Sequence, residues 1–338
     1  MTGATQKTIN LALQGGGSHG AFTWGVLDAL LEDGRLAFDG ISGTSAGAMN
    51  AVVLAHGLAR AQADGLSGQD AREAVRVALE RFWDGVGLIG NFVSGIPMPG
   101  MQTMVTLVTQ WFAPSQVNPM GLNPLRRLLE REVDFELLAH QQRVKVFVNA
   151  TNVRTGQGEI FTGGRLSADA VMASACLPTL YQAVEIDGER YWDGGFSGNP
   201  SIYPLIYHTR SADVLLVQIN PIEAACDPGA GAREIVERIN EITFNAPLVA
   251  EFRAIDFVTR LLDEGRLDTS RYKRMLMHRV DGGAALARLN ANSKLRADSA
   301  FVRRLFTRGR EAGQAWLQAH FDDVGQRSSI EFPREAAH

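Results

Sequence analysis

A chain of 338 residues, 45% of them hydrophobic, can bury a large core, in one big domain or two smaller ones. Its 33 Lys and Arg against 37 Asp and Glu leave a formal net charge of -4, which gives no general reason to expect nucleic-acid binding. Two cysteines exclude a disulfide framework, no Cys/His cluster has metal-ligand spacing, and no apolar run reaches the ~20 residues of a membrane-spanning helix.

Met1 to Asn10 lacks the charged start and long apolar region of a secretory signal. The expected product is soluble and cytoplasmic, with peripheral membrane contact left open. Cys176 and Cys226 read as small buried apolar side chains. Thr8 to Gln14 reads as a buried strand and His19 to Glu32 as a helix, with Phe22, Val26, Ala29 and Leu30 at helical spacing and Asp33-Gly34 ending it. Phe38 to Ser42 is a second strand and Ser45 to Ala59 a second helix, a strand–helix alternation that predicts a parallel sheet covered by helices.

Ala71 to Trp83 reads as an amphipathic helix. Gly85 to Pro124 is rich in Gly, Pro, Met and aromatic residues, and is expected to be either a lid or lipid-contacting element or a core-capping excursion with a buried helix at Gln102 to Phe112. Arg143 to Val153 is a strand, Gly158 to Thr162 its hairpin partner, and Ser167 the N-cap of a helix to Ala175. Ala183 to Trp192 forms a hairpin around Asp187-Gly188. Ala212 to Asn220 is a further buried strand. Ala232 to Leu262 is helical with an interruption near Pro247, Tyr272 to Val280 a last strand, and Phe301 to Phe321 a C-terminal helix. The expected architecture is α/β: residues 8–220 form the catalytic domain with the apolar insertion 85–124, and 221–338 a mostly helical extension packed on it.

Two glycine-rich turns carry the chemistry. Gly43-Thr44-Ser45-Ala46-Gly47 matches the G-x-S-x-G nucleophile elbow, in which a tight strand-to-helix turn presents a serine. Gly15-Gly16-Gly17-Ser18-His19-Gly20 clusters backbone N–H groups at a helix start, suited to a developing oxyanion. Gly15, Gly17 and Gly20 also fit a dinucleotide fingerprint, but Asp39 precedes the next strand rather than ending it, and that strand runs into the serine elbow. None of the seven histidines sits in a local context that marks it as the serine's base, although His19 lies inside the anion turn. Asp193, followed by Gly194 and Gly195, stands at the end of a strand and is the acidic candidate. An Asp-Gly turn residue would look the same in isolation.

Together these residues resemble the patatin-like phospholipase family. The Gly15 to Gly20 turn is similar to that family's oxyanion block, Gly43 to Gly47 to its elbow, Ala173-Ser174-Ala175-Cys176-Leu177-Pro178 to its third block, and Asp193-Gly194-Gly195 to its Asp-Gly-Gly block, in the family's order. The resemblance covers Gly15 to Gly195. It implies a single patatin-like domain and a Ser45–Asp193 dyad without histidine. It implies an oxyanion hole built from Gly16 and Gly17, with Ala46 as a further donor. It also implies a phospholipid or other fatty acyl ester as substrate, and no metal or organic cofactor. The dyad requires a base stronger than an ordinary aspartate, hence a dry setting, for which Trp192 and Phe196 are candidates. His19 departs from the Arg or Lys usual at its position, and an arginine there is expected to be tolerated. Two rivals stay in view: an ordinary triad hydrolase using His208 or His278, and a catalytically silent binding module. Oligomeric state is not legible.

Overall fold

β1 (Lys7–Leu13) is buried from Ile9 onward on both faces, the signature of a central strand in a parallel sheet with helices above and below. A computed structural model of the chain describes residues 6–94, 123–141, 143–178, 180–223, 231–283, 286, 289 and 291–330. β1 pairs in parallel with β2 (Leu36–Gly43) on one side and β7 (Asp213–Gln218) on the other. β2 pairs in parallel with β3 (Lys145–Asn152), and β7 with the edge strand β8 (Leu276–Asp281). The remaining strands β4 (Gly158–Phe161), β5 (Val184–Ile186) and β6 (Glu189–Asp193) are antiparallel, with β4 and β6 both on β3 and β5 on β6.

One detail of this register matters for the site. Ala150 and Thr151 of β3 pair with β4 and with β6, so those two strands hold opposite edges of β3. Val148 pairs with β4 and with Gly43 of β2, so β2 lies opposite β4 as well. β6 therefore occupies the edge of β3 that β2 vacates after Gly43.

Alternation along the strands sorts the helices into two layers. Leu11, Leu13, Leu215 and Val217 face a core formed with α1 (Gly20–Asp33), α2 (Ala46–Ala63), α3 (Gly68–Ser94) and, from the far end of the chain, α9 (Ser299–His320). Ala12, Val214 and Leu216 face the other layer, where α7 (Tyr203–His208) and α8 (Ala232–Asp263) contribute Leu205, Leu248 and Phe252. α9 lies directly on α1: a Cβ on Gly309 would meet the Phe22 carbonyl oxygen at 1.9 Å. The 221–338 region thus supplies an edge strand of the sheet as well as helices.

Several elements differ from the sequence expectation. α3 continues past Trp83 to Ser94, its glycines serving as contacts: Gly85 faces Leu128 and Gly90 faces Ala297. α8 runs through Pro247, sacrificing the one bond its missing N–H would make to Thr243. Three short helices were not anticipated: α4 (Pro124–Glu132), α5 (Phe135–His140) and α7. The side chains of Asn123 and Asp134 cap the first two. The hairpin at Asp187-Gly188 and the Ser167 cap, whose hydroxyl accepts from the Ala170 amide at 3.2 Å, form as expected. Between them runs α6 (Ala168–Ser174). The expected helix at 102–112, most of the 85–124 insertion and Cys226 lie outside the described residues. Cys176 is buried, its thiol donating to the Gln182 carbonyl at 3.0 Å, and burial pushes its pKa up to about 11.

Candidate active site

Ser45 sits between β2 and α2 with φ at 55°, a left-handed conformation that costs an L-residue roughly 1–2 kcal/mol. Its surroundings over-determine that turn. The Ser45 amide donates to the Ser174 hydroxyl at 2.9 Å, the Thr44 hydroxyl donates to the Gly198 carbonyl at 2.8 Å, and the Gly47 amide returns to Thr44 at 2.8 Å. Gly47 has no room for a side chain, because a Cβ there would lie 2.1 Å from the Leu13 carbonyl oxygen at the end of β1.

Asp193 ends β6 opposite Ala150, two residues beyond the Val148–Gly43 level of β3. That places it in line with the elbow, with the Ser45 side chain near enough to act on its carboxylate. The Gly195 amide donates to that carboxylate at 2.8 Å. Asp193 is 2% exposed, and burial raises its pKa to about 7 against the opposing influence of the Gly195 amide and of Ser45. Asn149 locks the turn that follows by donating to the carbonyls of Gly194 (2.8 Å) and Gly198 (3.0 Å). The dry wall is only partly where the sequence suggested. Phe196 packs against Phe244 of α8 with the rings tilted by 60° and centroids 4.9 Å apart, and Phe244 covers Gly195 so closely that a Cβ there would meet the ring at 2.2 Å. Trp192 alternates to the other face of β6 and lines a separate open cavity with Val153, Tyr181 and Arg190.

The Gly15 to Gly20 turn is pressed against the elbow: a Cβ on Gly15 would lie 2.8 Å from Ser45 Cβ. Its six amides are not equivalent. Gly15 donates to Asn199 Oδ1 at 2.7 Å, His19 to the Gly16 carbonyl at 3.3 Å, and Gly20 back into the turn. The amides of Gly16, Gly17 and Ser18, like that of Ala46 at the first position of α2, have no acceptor among the described residues. The Asn220 side chain holds the turn from behind, donating to the Gly15 carbonyl at 2.6 Å. His19 is 2% exposed, its Nε2 is 2.7 Å from the Ser293 hydroxyl, and its Nδ1 has no partner among the described residues. Burial, and then the charge of Lys294, lower its pKa to about 4, so the imidazole is neutral at physiological pH. The buried neutral ring lies near Phe301, with ring centroids 6.2 Å apart, in surroundings that disfavour a cation.

The rival bases lie elsewhere. His278 Nε2 is 2.9 Å from Asp213 at the start of β7, and its Nδ1 is 3.1 Å from the Ser329 hydroxyl. His208 stacks on Phe147 beside the start of β3. Both lie toward the N-terminal ends of the parallel strands, whereas Ser45 follows the C-terminal end of β2. Among the described residues no group of three or more His, Cys, Asp or Glu is arranged to hold a metal ion, and no helix is long and apolar enough to cross a membrane. The residues that sequence reasoning missed are Asn149, Asn199, Asn220, Phe244, Ser293 and Lys294. They lie outside any glycine motif and carry no local pattern.

A family model described as patatin-like phospholipase matches residues 11–206, more than half of the chain. Among solved structures, VipD from Legionella pneumophila matches at 16% identity and a TM-score of 0.41, covering 92% of this chain and 67% of that one. Full-length SpcU in complex with full-length ExoU, from the type III secretion system of Pseudomonas aeruginosa, matches at 15% identity and a TM-score of 0.35, covering 94% of this chain and 54% of the matched one. No curated protein matches.

Proposed function

The chain belongs to the patatin-like phospholipase family, and we propose that it is a serine lipid acyl hydrolase of the phospholipase A or lysophospholipase type working through a Ser45–Asp193 dyad. The observation that carries this reading is the strand register that sets the Ser45 elbow beside a buried carboxylate whose pKa is raised to about 7. Such a carboxylate is ionised in part at neutral pH and basic enough to take a proton in the transition state.

Ser45 Oγ attacks the ester carbonyl while its proton passes to Asp193. The tetrahedral oxyanion is held by the amides of Gly16, Gly17 and Ala46, which have no acceptor among the described residues. Collapse breaks the bond to the alcohol, which leaves with the proton from Asp193. The acyl-enzyme is then attacked by water, whose proton goes to Asp193, and collapse returns a proton to Ser45 as the fatty acid departs. The amides of Gly15, His19 and Gly20 are spent within the turn and shape it. No cofactor enters any step.

The lipid phase meets the site along α8. Ile235, Val236, Ile239 and Ile242 are each more than two-fifths exposed, and Phe244 on the same helix covers Gly195 beside the dyad. An apolar stripe continuous with the wall of the site suits a micelle or bilayer surface.

The test is product analysis by mass spectrometry on defined phospholipids, lysophospholipids and glycerides. Fatty acid release by the wild type is expected to vanish in folded Ser45→Ala and Asp193→Asn. Near-normal turnover in Asp193→Asn would remove Asp193 as the base.

A further inference from the structure

The glycine-rich turn is covered by a part of the chain remote in sequence. A 3-10 segment, Ala291–Leu295, lies across it. The Ser293 carbonyl accepts from the Ser18 hydroxyl at 2.9 Å and the Ser293 hydroxyl meets His19 at 2.7 Å. A Cβ on Gly17 would sit 2.3 Å from the Lys294 carbonyl oxygen. The backbone of Lys294 is thereby fixed against the residue that offers an unpaired amide, and its ammonium is close enough to His19 to help depress the imidazole pKa.

That ammonium is itself under-served. Lys294 is only partly exposed, and among the described residues it has neither a hydrogen-bond acceptor nor a carboxylate within ion-pair distance. Glu241 of α8 acts on it through space, while pairing directly with Arg238 at 3.1 Å. Burial lowers the Lys294 pKa. A cation drawn out of water without an anion is costly unless a ligand supplies one. The ligand that must enter here presents an acyl carbonyl to Gly16 and Gly17. In a glycerophospholipid the group a few bonds from that carbonyl, and the one charge common to all such lipids, is the phosphodiester.

We propose that Lys294 reads the phosphodiester of the lipid headgroup and makes the site prefer phospholipids to neutral glycerides. This rests on the reading of Ser45 and Asp193 as an acyl-ester hydrolase. The Gly15 to Gly20 turn then serves two adjacent tasks: its amides hold the oxyanion, and the segment strapped over it holds the headgroup charge.

The measurement is kcat/KM of wild type, Lys294→Met and Lys294→Arg on phosphatidylcholine and on diacylglycerol with the same acyl chains, each dispersed in the same neutral detergent micelles. Tm is recorded for each variant. The phosphatidylcholine-to-diacylglycerol ratio is expected to exceed one in the wild type, to fall about tenfold or more in Lys294→Met, in line with loss of a charge-assisted contact, and to be largely kept in Lys294→Arg. A ratio unchanged in Lys294→Met, with both substrates losing equally, overturns the assignment and leaves the hydrolase reading standing. A wild type that hydrolyses both lipids without preference does the same. A wild type that hydrolyses neither overturns the hydrolase reading and this inference with it.

Discussion

The Ser45 elbow meets the Asp193 carboxylate because β6 takes over the edge of β3 where β2 stops. The two residues are thus brought together by strand register, with the elbow at the end of one strand and the acid at the end of the strand that replaces it. The carboxylate is nearly closed to solvent, and burial lifts its pKa to about 7. The base must be ionised to act, so kcat/KM for a soluble ester is expected to be flat above about pH 8 and to fall roughly tenfold per pH unit well below 7. A profile flat down to pH 5 would show that a group other than a buried carboxylate takes the proton.

The same burial predicts a stability signature. The Asp193 pKa is raised from 3.8 to about 7 on folding. Its protonated form is therefore favoured in the native state, and that contribution is whole below the unfolded value and lost as pH rises through the folded one. Asparagine stays neutral throughout. From pH 5 to pH 8 the wild type is expected to lose roughly 3 kcal/mol relative to Asp193→Asn. Urea unfolding of both proteins at the two pH values measures it, and a difference independent of pH would mean that the carboxylate is ionised and solvated in the folded protein.

The parts of this site that were legible in the sequence are the ones made by local geometry. An elbow needs Gly43 and Gly47 within two residues of Ser45, and a hairpin turn needs Asp187-Gly188, so both leave short patterns. Asp193 stands out as an acid at a strand end before two glycines, and family resemblance gives it the role of base. What stayed hidden is made by long-range placement. Asn149 lies in an ordinary-looking strand, Phe244 on a long surface helix, and Lys294 in a stretch without any motif, and each reaches the site only through the sheet order and the packing of α8 and the 291–295 segment. Trp192, a candidate for the dry wall, faces away from the dyad because one position along a strand reverses direction. The interruption expected near Pro247 does not form, because its neighbours Leu248 and Phe252, buried in the second core layer, hold the helix through it.

His19 should be intolerant of charge. Its ring is buried, its Nε2 faces the Ser293 hydroxyl, and the nearby ammonium of Lys294 already opposes protonation. His19→Arg would bring a second buried cation beside the first. It is expected to destabilise the fold by about 3 kcal/mol or more, whereas His19→Gln, able to keep a bond to Ser293, is expected to retain most of the stability. Thermal melts of the two variants decide it: equal Tm values for His19→Arg and the wild type would mean that the side chain reaches solvent.

The α8 stripe separates interfacial binding from chemistry. Ile239 and Ile242 are both more than half exposed and lie one helical turn apart on the segment leading to Phe244. Withdrawing two such side chains into lipid contributes about 1.5–3 kcal/mol each when burial is complete. The double variant Ile239→Ser/Ile242→Ser is therefore expected to raise the apparent KM on phosphatidylcholine vesicles at least tenfold. Neither residue touches the dyad, so kcat for a water-soluble butyrate ester should stay within about twofold of the wild type. Vesicle co-sedimentation gives an independent reading, with the bound fraction falling in parallel with the loss of activity. Unchanged vesicle binding and KM would place the lipid contact on another surface.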